Sequence, residues 1–179
     1  MILHLALLIL TFAASAHAEV MRLPVNEIAC TQAQVGNRDI VGKLESMTKK
    51  ADGDPVVFQQ LIARQAAEGV PGVYGPSIWG EGTNRVYIMD GHHRTSSLYR
   101  LIYGNYDDLP GKVKSLLSRP AQAALKDNPD MKMAVNVEAR FGSVGEVMKE
   151  FVKRGIGELP EAVRTDPVFA DAVAAVKAR

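Results

Sequence analysis

Apolar residues along this chain alternate between two spacings, and the switches mark its elements. From Met21 to Cys30, Leu23, Val25 and Ile28 are interleaved with polar residues, which predicts a short strand running into a loop at Thr31-Gln32. Ile40, Val41, Leu44 and Met47 recur at three- and four-residue spacing, so a helix is expected over 38–50, with Lys49 and Lys50 at the negative end of its dipole. Asp52-Gly53-Asp54 is a turn. Asp54 then reads as an N-cap with Pro55 in the first helical position, and the helix they open, about 55–68, is closed by Gly69. Pro71 to Gly82 holds two prolines and four glycines and predicts a loop. Its Tyr74 and Trp79 either wall off the turn that follows or pack on the core edge. Val86, Tyr87 and Ile88 form a β-rich run that turns at Asp90-Gly91. Leu98, Leu101 and Ile102 then set a helical period that stops at Gly104.

Farther along, 106–130 fits one or two short helices, and 131–139 alternates as a strand with Met133, Val135 and Val137 on one side. Ser143 and Glu146 stand at capping-box spacing before a helix of about 144–154. Asp166-Pro167 opens a last helix carrying Phe169, Val173 and Val176. The pattern predicts an α+β domain with few strands, without repeats or linkers.

Composition narrows this modestly. The 179 residues are 47% hydrophobic and 23% charged, ordinary for one domain with a real core. A net charge of +1 gives no global drive toward nucleic acid or an anionic membrane. Residues 2–16 form an apolar run ending in Ala16-His17-Ala18, the small-x-small pattern of a signal peptidase site. The expected division is a signal peptide over 1–18 and a domain over 19–179, giving a secreted or periplasmic protein. A start at Met21 would instead leave it cytoplasmic. The run is short for a membrane span. Cys30 is the only cysteine, so no internal disulfide or cysteine-based zinc site can form, and it reads as a small buried residue.

The chemistry concentrates between strand and helix. Asp90, Gly91, His92, His93, Arg94 and Thr95 fall on the turn and first helical turn. A helix start leaves N–H groups unpaired and carries partial positive charge, glycine lets an anion approach the backbone, and arginine grips phosphate oxygens in pairs. The pattern therefore favours phosphate. Of four histidines, only His92 and His93 lie beyond residue 18.

On Asp90-Gly91-His92-His93-Arg94, together with Ile28-Ala29-Cys30-Thr31-Gln32, Val35-Gly36, Val41 and Lys43, the chain resembles the ParB-like/sulfiredoxin superfamily, in its branch of ParB-like nucleases. The likeness spans roughly residues 22–175. It implies a compact ParB/sulfiredoxin-like α+β domain, a small mixed sheet with surrounding helices, whose turn binds nucleotide phosphates. Relatives take ATP (sulfiredoxins), CTP (partition proteins) or ADP and ATP (free-serine kinases). The chain also departs from these relatives. Histidine stands where sulfiredoxins need cysteine, and the chain is too short for the later domains of partition proteins. The kinase's acidic base has no counterpart at Thr31-Gln32, with Glu27 slightly upstream.

The resulting expectations are specific. Asp90, His92 and His93 are the candidate catalytic residues; Gly91, His92, His93, Arg94, Thr95, Thr31 and Gln32 are the candidate phosphate- or nucleotide-binding residues. One histidine acts as acid/base or hydrogen-bond donor, while the two neighbours point apart and do not share a metal. Asp90 either holds Mg²⁺ (or Mn²⁺) or caps the helix. Thr95 adds a hydroxyl to a phosphate or bonds within its own helix. Lys43 reads as a solvated helix residue. The expected ligand is a nucleotide such as ATP, ADP or CTP, or a phosphorylated small molecule, processed by phosphoryl transfer or phosphoester hydrolysis. The alternatives are a metal-dependent nuclease and a non-catalytic exported binding module.

Overall fold

The computed structural model describes residues 19–32, 35–75 and 85–155. The expected signal peptide, Trp79 and the helix expected from Asp166 lie outside them. Five strands form one mixed sheet: β1 (Glu19–Pro24), β2 (Ile28–Cys30), β3 (Val70–Gly75), β4 (Arg85–Ile88) and β5 (Lys132–Arg140), in the order β1-β5-β3-β4-β2. The β1–β5 and β3–β4 pairs are antiparallel, whereas β3–β5 and β2–β4 are parallel. With helices around it, the fold is α+β.

Strands β1 and β2 sit on opposite edges of the sheet, yet only the 3-10 turn Val25–Glu27 separates them. Four steps of extended chain from Pro24 to Ile28 reach about 14 Å at most. Four flat inter-strand gaps span roughly 19 Å. The sheet must therefore curl until its edges approach, and Val25, 1% exposed, is enclosed where they do. The single strand expected over 21–30 is thus two strands divided by this turn.

The helices are α1 (Asn37–Ala51), α2 (Pro55–Ala67), α3 (His92–Tyr103), the short α4 (Gly111–Lys114), α5 (Arg119–Asp127) and α6 (Val144–Lys153). Their starts follow local chemistry. Asp54 Oδ1 accepts from the N–H groups of Val56 and Val57 ahead of Pro55, and Ser118 Oγ accepts from Ala121 N. Ser143 Oγ accepts from Glu146 N, while Glu146 reaches back to Gly142 N, one residue before the position a capping box uses. Helix α3 packs against α1, α2, α5, β2 and the Val25–Glu27 turn. Leu98, Leu101 and Ile102 bury its inner face with Leu44, Phe58, Ile62 and Ile88. Helix α6 covers the other sheet face, where Phe151 meets Tyr87 edge-on at 5.4 Å. Strand β4 is thereby buried on both sides, with Val86, Tyr87 and Ile88 each at most 1% exposed. Among the described residues no helix is long and apolar enough to cross a membrane.

The start of the Pro71–Gly82 loop expectation is corrected: Val70–Gly75 is the central strand β3. Proline and glycine disfavour such a position. Here β4 gives way to its turn just where Pro71 lies, and the Pro71 carbonyl takes one last bond from Met89 N at 2.8 Å. The return bond that a hydrogen-bonded antiparallel pair would make is the one proline cannot donate. Gly72 is required by packing, since a Cβ there would lie 2.5 Å from Val135 Cγ1.

Candidate functional site

Strand β4 delivers the chain to the start of α3 through one left-handed residue. Gly91 has φ +76° and ψ +17°, and a Cβ on it would stand 2.4 Å from Val70 Cγ1. Both the dihedral and the approach to β3 call for glycine. Gly91 is the N-cap of α3 and supplies no side-chain cap. Asp90 Oδ1 accepts from Gly91 N at 2.6 Å, so this carboxylate fastens the turn and does not cap the helix.

Beside this turn lies a cavity of about 350 Å³. Asp90, Gly91, His92, His93 and Arg94 line it together with Gly69, Val70 and Pro71, and Gln32 and Lys43 complete it. Lys43 comes from α1 and is half-buried. As a sequence residue it looks like part of a solvated face; only the packing of α1 on α3 turns it to the cavity. Its place beside Val41 among the residues that carry the family resemblance is the one sequence signal for it.

Arg94, 24% exposed at its side chain, donates from Nη1 to the Glu68 carbonyl at 3.2 Å and pairs through Nη2 with Glu68 Oε2 at 3.0 Å. Its Nε is buried without a hydrogen-bond partner. A guanidinium has five donors. Glu68 at the end of α2 engages two of them, leaving three while it fixes the side chain. His92 points inward and its Nδ1 is buried without a hydrogen bond. Burial lowers its pKa; the Asp90 carboxylate opposes this, His93 adds to it, and the Met89 backbone favours the protonated ring. His93 is exposed and turns to α1, with Nε2 3.6 Å from Asp39 Oδ2, an ion-pair distance longer than a hydrogen bond. Both histidines line the cavity, but only His93 also borders α1 through Asp39.

Two expected residues sit differently. Thr31 is 3% exposed and its hydroxyl donates to the Ile88 carbonyl at 2.8 Å, tying the end of β2 to β4. Thr95 is 2% exposed and donates within its own helix to the Gly91 carbonyl at 3.1 Å. Neither lines the cavity, whereas Gln32 does. Burial pushes the Cys30 thiol up, with a Ser96 hydrogen bond opposing, which suits an unreactive packing residue. Compared with known proteins, the chain matches no family model, no curated protein and no solved structure.

Proposed function

We propose that this chain is a ParB/sulfiredoxin-like protein that binds the phosphate of a nucleotide or phosphorylated small molecule in the Gly91 cavity. It acts on that phosphate by phosphoryl transfer or phosphoester hydrolysis. One observation carries the reading: Lys43, Arg94 and the uncapped start of α3 line one cavity, beside a turn that only glycine can make against Val70. Glu68 pairs with Arg94 behind the cavity, so the lining itself carries Lys43 and Arg94 against the single carboxylate of Asp90, and the α3 dipole adds to its positive side. The unpartnered Arg94 Nε is a donor in want of an acceptor.

Arg94 and Lys43 would neutralise the phosphoryl oxygens, and the α3 backbone would orient them, which is most of what phosphoryl transfer asks of a protein. Among the described residues, no three or more His, Cys, Asp or Glu side chains group to hold a metal. Mg²⁺ commonly takes one or two carboxylates, water and substrate phosphate, and the second oxygen of Asp90 fits that mixed set. Bound there, the ion would supply charge neutralisation.

The test is a thermal-shift and calorimetric titration of residues 19–179 with ATP, ADP, CTP, GTP, phosphate and pyrophosphate, each with and without Mg²⁺. A selective shift that Arg94→Ala weakens about 10- to 100-fold in affinity is expected, the size of a lost charge-assisted hydrogen bond. No response to any of these ligands removes the reading.

A further inference from the structure

A second cavity of about 740 Å³ runs along the start of α1 and shares two lining residues, Lys43 and His93, with the first. His93 therefore stands at the border between them. Its partner Asp39 lines the second cavity from the first turn of α1. Gly36 makes room for that carboxylate: a Cβ at Gly36 would sit 2.6 Å from Asp39 Oδ2. The His93 backbone is held in place by Ser97, whose hydroxyl donates to the His93 carbonyl at 2.6 Å.

We propose that His93 is the acid–base residue of this site, that Asp39 is its positioning residue, and that the second cavity receives the hydroxyl compound or water that attacks the phosphate. This rests on the phosphate reading above. With Nε2 protonated and turned to Asp39, Nδ1 is free to accept a proton. The attacking hydroxyl gives its proton to Nδ1 as its oxygen bonds to phosphorus. The bond from phosphorus to the leaving oxygen breaks, that oxygen keeps the electron pair beside Lys43 and Arg94, and His93 later releases its proton to water. The lining of the second cavity also selects its occupant. Arg38 and Lys43 are balanced by Asp39 and Glu45, so the cavity carries no net charge. A net-neutral polar molecule suits it, and a second polyanionic segment does not.

The experiment compares wild type, His93→Ala, Asp39→Asn and Gly42→Phe of the 19–179 chain with Mg²⁺ and ATP, ADP, CTP or GTP. Binding is read by calorimetry. Turnover is followed by ³¹P NMR, with and without glycerol as a neutral hydroxyl probe. Gly42 lines the second cavity, and a Cβ on it meets nothing within 4 Å, so a side chain can start there without a clash. Asp39→Asn and Gly42→Phe, which lie outside the phosphate cavity, are expected to keep nucleotide affinity within about threefold. In His93→Ala, kcat should fall about 100-fold or more and recover in part with added imidazole, which a merely structural histidine would not allow. Asp39→Asn should lower kcat about tenfold, and Gly42→Phe should slow transfer to glycerol more than hydrolysis. Undiminished turnover in His93→Ala, or a wild type that binds nucleotide without ever turning it over, overturns the pair. A wild type that binds no nucleotide fails at the earlier step, and the pair falls with it.

Discussion

Arg94 and His92 show how much a single side chain depends on its neighbours here. Arg94 is already oriented by Glu68, so a phosphate bound there would meet a fixed fork with little rotamer freedom left to lose. Arg94→Lys keeps the charge but cannot reproduce the paired donors, and should still weaken pyrophosphate binding several-fold in the same titration. His92 has its proton affinity lowered mainly by burial. A histidine with a depressed folded pKa leaves stability whole above its unfolded value, near 6.5, and draws it down as pH falls, because the unfolded chain takes up the proton more readily. Urea midpoints followed from pH 7.5 down to 5 should therefore decline less steeply in His92→Asn than in wild type. Equal slopes would mean that His92 is not held neutral by its surroundings.

At the scale of elements, the helices and their caps were legible because their signals are local. Asp54-Pro55 and Ser143 each act on backbone groups two or three residues away, and the structure places α2 and α6 close to where those residues predict. Asp54→Ala should cost about 1 kcal/mol in chemical denaturation, as a lost cap. The turn at Gly91 was legible for the same reason. Strand β3 was not, because its reasons are tertiary. Gly72 is glycine to admit Val135, and Gly75 to admit Val147. Pro71 survives because β4 turns away beside it. Read locally, those residues spell a loop. The same limit hid Lys43, whose place at the cavity is set by α1 lying on α3, and left Thr31 and Thr95 looking available when their hydroxyls serve the β2–β4 junction and the α3 start. Gly91→Ala joins the two kinds of information. It imposes a left-handed cost of roughly 1–2 kcal/mol on a residue with a Cβ and also drives that Cβ into Val70. A total loss of about 2–4 kcal/mol is expected once that overpacking is added. A loss under about 0.5 kcal/mol would mean that β3 and the turn can separate freely.

For the molecule as a whole, the cavity lies where four stretches of chain converge: Gln32 just after β2, the first half of α1 through Lys43, Gly69–Pro71 at the start of β3, and the start of α3. The curl of the sheet brings them together, since the Val25–Glu27 turn is too short to let the edges part. A phosphate gripped by Lys43 and Arg94 would connect α1 directly to α3, adding a link to the apolar contact that already joins them. Binding should then stabilise the folded chain by about 2.7 kcal/mol at a hundredfold excess over Kd. The effect should be unevenly distributed. Hydrogen exchange should slow around Lys43 in α1 and in the first turn of α3, which line the proposed phosphate cavity, and change little in β1, which pairs with β5 at an edge of the sheet. Lys43→Ala should abolish the slowing in α1 while preserving part of that in α3, because Arg94 still holds its share of the ligand. Uniform protection across the sheet would mean that the ligand binds elsewhere or acts only through global stability. Protection confined to α3 would mean that Lys43 faces the cavity without taking part in binding.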